Sequence, residues 1–259
     1  MNKLLPKLYL WYENYVNGFK SIDPELRINI SMKDRHTKRV GMNIVDIGNS
    51  LNLNADELQF AEAVALLHDV GRFSQYVRYK TFSDAKSEDH AALGVRMIEQ
   101  QKILSEFDDV LKKMVLKIVH YHNKKDLPQN ITDDCLFFLK LLKDADKLDI
   151  YKVTTEHYSM DGTNKNKALD LNLPDDPVVS QNVIDDIMCG RTVDFENVKT
   201  LIDFKLLQIS WMHDIHFSRT KQLIARNNYL EKIYDSMPDL KSVRTACQKI
   251  IFDGNGCSK

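Results

Sequence analysis

The sequence predicts an all-α fold, a helical bundle with additional C-terminal helices. Apolar residues recur at intervals of three and four along most of the 259-residue chain, whereas strand-like alternation is scarce. Only 9 glycines and 6 prolines interrupt the chain, so long helices are permitted. Because 43% of the residues are hydrophobic, the chain can bury a substantial core, and we expect a single compact unit.

Six helices are predicted within the first 158 residues. The predicted segments are 3–19, 32–53, 55–70, 89–101, 106–121 and 135–151. The third begins with a capping box formed by Asn54 and Glu57. It is apolar on nearly all sides, which is typical of a buried helix, and Gly71 is expected to end it.

Turn-forming residues separate these helices. Asp23-Pro24 marks a turn before the second helix, and residues 74–87 are predicted to form a polar loop. Ser87 and Thr132 are the expected N-caps of the fourth and sixth helices.

The domain boundary is predicted from the polar, turn-rich residues 159–181. Residues 1–158 are expected to form the core, and residues 159–259 a loop and a helical extension packed on it. Within that extension, residues 195–226 and 228–252 return to helical periodicity.

Composition excludes several classes of protein. The net charge of −1 provides no global field to attract a nucleic acid polymer or an anionic membrane. The four cysteines are far apart, so neither a disulfide framework nor a zinc ribbon is expected, and free thiols suit the cytosol. No segment approaches the roughly 20 apolar residues of a membrane span, and no signal peptide is evident. We expect a cytoplasmic protein, which can form a homodimer.

The pair His68-Asp69 is the first candidate for chemistry. It lies at the end of the most hydrophobic predicted helix, where polar groups need partners. Such a dipeptide arises easily by chance, so its interpretation depends on the other candidate ligands in the sequence. His36 lies on the preceding helix and Asp146 on a later apolar helix, and a carboxylate there is costly unless it is paired or metal-bound. This mixed nitrogen and oxygen set suits Mn, Fe, Co, Ni, Zn or Mg.

In this order, His36, His68-Asp69 in LLHDVGRF and Asp146 in DADKLD resemble the H…HD…D signature of the HD-domain metal-dependent phosphohydrolase superfamily. The resemblance covers about residues 30–152. It implies an all-α HD-domain bundle in which these four residues bind a first divalent metal. Asp146 is preferred to Asp144 because the family pattern places the ligand three residues before a second aspartate, here Asp149, which is expected to brace neighbouring groups.

Further histidines fall where some HD families place a second metal ion. His90, in DHAALGVRMI, resembles either a second-metal ligand or a catalytic histidine that contacts phosphate. His120 and His122, in VHYHNKKD, resemble the histidine-rich segment of two-metal HD phosphodiesterases. The HHE and GYP motifs of the cyclic-di-GMP enzymes are absent from the sequence, so hydrolysis of that dinucleotide is not indicated.

Basic residues near these motifs are candidates for neutralising a phosphate. Arg72 follows the His-Asp pair, and Lys147 resembles the phosphate-binding lysine of HD-type deoxynucleotide triphosphohydrolases. Arg35, Arg39 and Lys86 are weaker candidates.

A second His-Asp pair, His213-Asp214, is followed by His216. Because no carboxylate-rich partner helix accompanies it, packing is the favoured interpretation. Arg191, Arg219 and Lys221 could be surface charges or a phosphate clamp.

The expected function is hydrolysis of a small phosphorylated substrate by a metal-activated water. Asp69 would bind metal and orient the nucleophile, His90 would stabilise or protonate the leaving oxygen, and Lys147 and Arg72 would neutralise developing charge. The alternatives are a di-iron oxygenase on the same fold and a non-catalytic signalling domain related to HD domains.

Overall fold

The structure, a computed structural model, describes residues 4–19, 23–160 and 166–251. Its regular elements are α-helices and short 3-10 turns, and no β-strand occurs within these ranges. The all-α prediction is therefore confirmed. The chain divides into two compact units, Met1–Asp149 and Ile150–Lys259. Packing of a 159–259 extension on a 1–158 core stays a prediction.

The described residues of the first unit form six helices and the start of a seventh. They are α1 (Leu4–Asn17), α2 (Pro24–Ser50), α3 (Ala55–Leu67), α4 (Val70–Tyr79), α5 (His90–Gln100), α6 (Asp109–Tyr121) and α7 (Asp133–Tyr158), which continues past the boundary. The capping box predicted for α3 is present, with the Asn54 side chain accepting from the Glu57 backbone N–H and the Glu57 carboxylate accepting from Asn54.

Helix α2 begins eight residues earlier than the sequence predicted. The Asp23 carboxylate accepts hydrogen bonds from the backbone N–H groups of Glu25 and Leu26, so it acts as an N-cap. Pro24 follows in the first turn, where its missing N–H costs nothing. Asp23-Pro24 is therefore a helix start, and the turn predicted there is wrong.

The segment after α3 departs from the prediction most clearly. Residues 74–87 were expected to be a loop, but α4 continues to Tyr79, and Gly71 lies inside it. The reason is spacing: Val70, Phe73 and Tyr76 recur every three residues and are all buried. The chain turns only at Lys80, which adopts a left-handed conformation with φ of 54°.

Aromatic contacts fix the helices around the α3–α4 junction. The ring of Tyr12 on α1 meets that of Phe73 on α4 edge-on at 6.1 Å, and Phe60 on α3 meets Phe138 on α7 at 4.8 Å. Such pairs stabilise a fold by about 0.5–1.5 kcal/mol each beyond area burial. They anchor both helices that flank His68 and Asp69.

In the second unit, residues 166–251 form five helices after the end of α7. They are α8 (Gln181–Met188), α9 (Leu201–Ser210), α10 (Ser218–Arg226), α11 (Tyr229–Asp235) and α12 (Lys241–Ile251). All residues of α9 are buried, including Asp203, whose carboxylate accepts from the Ser180 backbone N–H and hydroxyl and from the Lys199 N–H.

Two long helices predicted for this unit are interrupted. A 3-10 turn, Trp211–Asp214, separates α9 from α10, and Pro238 lies between α11 and α12. Residues 166–180 contain no α-helix, as predicted, while residues 161–165 of the predicted loop lie outside the described residues. Among the helices described, none is long and apolar enough to cross a membrane.

The close approach of α4 and α5 requires a glycine at position 71. A Cβ there would fall onto the backbone carbonyl oxygen of His90 and within 2.7 Å of the Gly94 nitrogen. Gly71→Ala should therefore lower the free energy of unfolding by about 2 kcal/mol or more, because backbone cannot yield as a side chain can.

Gly41→Ala is the matched control on α2. Its Cβ would meet nothing closer than the Tyr9 hydroxyl at 3.9 Å, so helix propensity should leave stability unchanged or raised by up to about 1 kcal/mol. Urea denaturation followed by circular dichroism measures both variants. Equal free energies of unfolding for Gly71→Ala and Gly41→Ala would contradict the close packing of α4 against α5.

Candidate metal centre

A break between two helices brings His68 and Asp69 together. Side chains of adjacent residues diverge on a continuous helix. Here α3 ends at Leu67, α4 begins at Val70, and Asp69 has a non-helical backbone (φ −109°, ψ 14°). As a result, His68 Nε2 lies 3.4 Å from Asp69 Oδ2.

His36 and Asp146 complete a first group around this pair. His36 Nε2, from the middle of α2, lies 3.4 Å from Asp69 Oδ2 and 3.1 Å from Asp146 Oδ1. Asp146 Oδ1, from α7, lies 3.9 Å from His68 Nε2. The structure thus brings together the four residues for which the sequence predicted a first metal site, and three of them are buried.

His90 and His122 form a second group on the other side of Asp69. His90 Nε2 lies 3.4 Å and His122 Nε2 3.8 Å from Asp69 Oδ1. The first group faces Oδ2 and the second faces Oδ1, so the two groups share one carboxylate through different oxygens. In each group three residues offer ligand atoms close enough together to hold a metal ion: His36, His68 and Asp69 in the first, and Asp69, His90 and His122 in the second.

Backbone carbonyls orient two of the imidazoles. His68 Nδ1 donates a hydrogen bond to the Ala65 carbonyl, and His122 Nδ1 donates to the Val119 carbonyl, both at 2.7 Å. Because a carbonyl oxygen can only accept, the proton of each neutral ring resides on Nδ1. Nε2 then presents a lone pair to the centre, as a metal ligand must.

Carboxylates orient the other two imidazoles. His36 Nδ1 donates to Asp149 at 2.7 Å, and His90 Nδ1 donates to Asp84 at 2.7 Å. The carboxylates are held in turn: Asp149 by the Arg39 guanidinium at 2.5 and 3.0 Å, and Asp84 by Arg72 Nη1 at 2.8 Å. Asp149 thus braces a predicted ligand, as expected.

Unpartnered nitrogen atoms show that these residues fit a metal ion. His36 Nε2 and His68 Nε2 are buried and have no hydrogen-bond partner. His90 Nε2 and His122 Nε2 face one another at 3.0 Å, and with the proton of each neutral ring on Nδ1 both present lone pairs. Buried polar atoms left in this state are costly, and a cation among them would satisfy all four.

The two histidines on the Oδ1 side of Asp69, His90 and His122, have the protonation state that a metal ligand needs. Burial, together with the neighbouring His90 and His68, lowers the pKa of His122 to about 3. Burial and the Arg72 charge also lower the pKa of His90, although Asp84 and Asp69 oppose the change. Both rings are therefore neutral at physiological pH, which is the form that binds metals.

The Oδ2 side attracts positive charge. Burial and Lys33 disfavour protonation of His36, but the carboxylates of Asp146, Asp149 and Asp69 prevail and raise its pKa to about 10. Burial opposes ionisation of Asp69, yet Lys33 and the neighbouring histidines hold its pKa well below the usual range. His36 therefore carries a proton at neutral pH in the metal-free protein, and a divalent cation held by the ionised carboxylates would displace that proton.

Sequence reasoning missed two residues of this network. Lys33 makes an ion pair with Asp69, and Asp84 orients His90 from a 3-10 turn, Asp84–Lys86. Neither residue belongs to a motif. The one weak signal for Asp84 was its position six residues before His90, which starts a helix.

The predicted basic residues differ in their surroundings. Arg72 is tied to protein acceptors: the Phe82 carbonyl at 2.5 Å, Gln75 at 2.8 Å and Asp84. Arg39 is committed to Asp149. The others are placed as follows: Lys147 is half-buried on α7, and Arg35 and Lys86 are exposed. A phosphate-binding role for them stays a prediction.

No metal-capable group within the described part of the chain includes His120, so its role as a second-metal ligand stays a prediction. Residues two apart along an α-helix point about 160° apart, and His122, the C-cap of α6, is the one that faces Asp69. The His120 ring packs instead on Tyr121 at 4.7 Å.

Among the described residues, no metal-capable group includes His213 or His216. The nearest atoms of His216 and Asp214 are 3.7 Å apart, and burial lowers the pKa of His213. The packing interpretation of this second His-Asp pair stays a prediction.

Comparison with known proteins gives one family. A family model described as HD domain matches residues 34–151, which include every histidine and aspartate of the two groups. Searches against curated proteins and solved structures find no significant match.

Asp149→Asn tests whether the outer layer tunes metal binding. An amide orients His36 less strongly and withdraws charge from the ring, so affinity for Mn(II) or Zn(II) should fall about 10- to 100-fold. Competition with a chromophoric chelator measures it. Asp134→Asn, at an exposed position on the same helix, should leave affinity unchanged, and equal affinities in all three proteins would refute the coupling.

Metal stoichiometry tests the two-group arrangement. Elemental analysis of metal-loaded protein should give about two ions per chain in the wild type and about one in His122→Ala, because only the Oδ1 group loses a ligand. His120→Ala is the matched control and should retain two. One ion in the wild type, or two in His122→Ala, would rule out a second site of this composition.

Proposed function

Because residues 34–151 belong to the HD domain family, we propose that the chain hydrolyses a phosphate ester of a nucleotide or a small phosphorylated metabolite. HD domains are in general metal-dependent hydrolases, and the described residues contain side-chain groups that can hold a metal. The observation that carries the proposal is the Asp69 carboxylate, whose oxygens face two separate pairs of imidazole nitrogens.

The proposed metal ligands follow from the two groups. His36, His68, Asp69 and Asp146 would hold one divalent ion through Asp69 Oδ2 and the other three side chains. His90 and His122 would hold a second through Asp69 Oδ1. Imidazole-rich sets suit Mn, Fe, Co, Ni or Zn better than Mg, which prefers oxygen ligands.

A divalent ion in this setting supplies charge stabilisation of phosphate oxygens and a water activated toward attack on phosphorus. The protein orients that chemistry. Hydrogen bonds from each Nδ1 fix the imidazole rings, so no reorganisation is needed during the reaction. Burial of Asp69 and its neighbours excludes bulk water, which strengthens every charge interaction inside.

The position of His90 favours a ligand over a general acid. Its Nδ1 is occupied by Asp84, and its Nε2 is turned toward His122 and Asp69. Neither nitrogen is left to deliver a proton to a leaving oxygen. We therefore assign His90 to metal binding and leave neutralisation of the leaving group to Lys147 and Arg72.

A di-iron oxygenase is the second candidate. Four imidazoles around a shared carboxylate also suit two iron ions, and iron accepts the same nitrogen and oxygen ligands. A non-catalytic signalling domain is less well supported, because such a role does not require a complete ligand set.

A screen of nucleotides and phosphate monoesters with Mn, Co, Ni and Mg tests the proposal. Phosphate release should appear with at least one metal and fall about 1,000-fold or more in Asp69→Ala, a loss of roughly 4 kcal/mol of transition-state stabilisation. The control Asp134→Ala, on the exposed surface of α7, should keep wild-type rates.

Two results would count against phosphoester hydrolysis. Activity that survives Asp69→Ala would come from elsewhere in the chain or from a contaminant. Iron-loaded protein that consumes O2 with a diol substrate and releases no phosphate would establish the oxygenase instead.

A further inference from the structure

Lys33 is a cation at the candidate metal centre that no motif predicts. It lies on α2, three residues before His36 and so on the same face of the helix. Its ammonium group makes an ion pair with Asp69 Oδ2, and its side chain is only 15% exposed. Its Nζ also lies over the Phe82 ring, 5.8 Å from the ring centroid, in a cation–π contact.

Two other cations of the described residues touch carboxylates of the centre from other directions: Arg39 pairs with Asp149, and Arg72 Nε lies 3.6 Å from Asp69 Oδ1. Both ends of the Arg39 guanidinium fork bind Asp149. Arg72 donates to a carbonyl, an amide and Asp84 through one nitrogen. An ammonium group has three N–H donors in directions that can rotate, and one bond to Asp69 leaves donor capacity for a ligand.

The position of Lys33 sets what that ligand can be. Oδ2, the oxygen paired with Lys33, is also the oxygen that faces His36 Nε2 and His68 Nε2 at 3.4 Å. Any group bound at the Oδ2 side of the centre therefore has the Lys33 ammonium as a neighbour. A compact point charge beside metal ligands suits a tetrahedral oxyanion, which carries negative charge on several oxygens.

We propose that Lys33 is a phosphate-binding residue, whose ammonium donates to a non-bridging oxygen of the substrate phosphoryl group on the Oδ2 side of Asp69. This inference rests on the proposed function and assigns substrate recognition to a residue outside the HD-type ligand set. Lys33 would orient the phosphoryl group and balance its charge.

Binding of inorganic phosphate to Mn(II)-loaded protein tests the inference without catalysis. Isothermal titration calorimetry should show phosphate binding in the wild type and a dissociation constant about 10- to 100-fold higher in Lys33→Met, the loss expected for one charge-assisted hydrogen bond. Lys33→Arg keeps the charge and should stay within about tenfold of the wild type.

Lys38→Met is the matched control, since Lys38 lies on the same helix with its side chain 47% exposed and paired with Asp34. It should bind phosphate as the wild type does. Equal phosphate binding by Lys33→Met and Lys38→Met would overturn the inference. If Lys33→Met fails to fold by circular dichroism, Lys33→Gln serves as the neutral variant, with the same two outcomes.

Mn(II) affinity separates substrate recognition from a structural role. Removing a cation from Asp69 Oδ2 should leave Mn(II) affinity unchanged or raise it, because the ammonium repels the ion. Weaker Mn(II) binding in Lys33→Met would mean that Lys33 merely positions Asp69, and the inference would fail.

The two proposals can fail separately. Phosphate binding that depends on Lys33 in a protein that hydrolyses no ester would leave this inference standing and remove the proposed function. Ester hydrolysis with an unchanged KM in Lys33→Met would leave the proposed function standing and remove this inference.

Discussion

Asp69 carries a carboxylate that is 3% exposed at the junction of two apolar helices, and the arrangement of the first unit follows from that burial. An uncompensated charge in such a place costs several kcal/mol or more. Four helices compensate this charge: α2 contributes Lys33 and His36, α4 contributes Arg72, and the start of α5 and the end of α6 contribute imidazoles. Side chains from these four helices therefore converge on one carboxylate.

Helix ends solve the problem of aiming the imidazoles. The last carbonyls of a helix have no partner within it, and side chains can satisfy them. His68 follows α3 and donates to the carbonyl three residues back, and His122 follows α6 and does the same. One hydrogen bond thus satisfies a helix end, fixes the tautomer and turns Nε2 inward. The geometry that closes the helix also prepares the ligand.

The sequence predicted those residues of the metal centre that belong to a recognisable pattern, and it missed those that do not. His36, His68-Asp69 and Asp146 form an ordered pattern in apolar helices, so they were found. His120 and His122 could be separated only by the direction in which α6 faces the centre, and the prediction kept both. Lys33 and Asp84 carry no pattern of their own, because a lysine on a helix and an aspartate in a turn are ordinary surface residues.

The sequence by itself determined the all-α class, the α3 capping box and the candidate ligands, because helical periodicity, capping and motif order are local properties of the chain. Only the tertiary structure decided that α4 begins straight after Asp69, that this carboxylate is shared between two imidazole groups, and that Lys33 lies beside it. Those features depend on the directions of side chains from helices far apart in sequence. Residue spacing along the sequence does not determine these directions. They are set by the packing of α2, α5 and α6 around the α3–α4 junction.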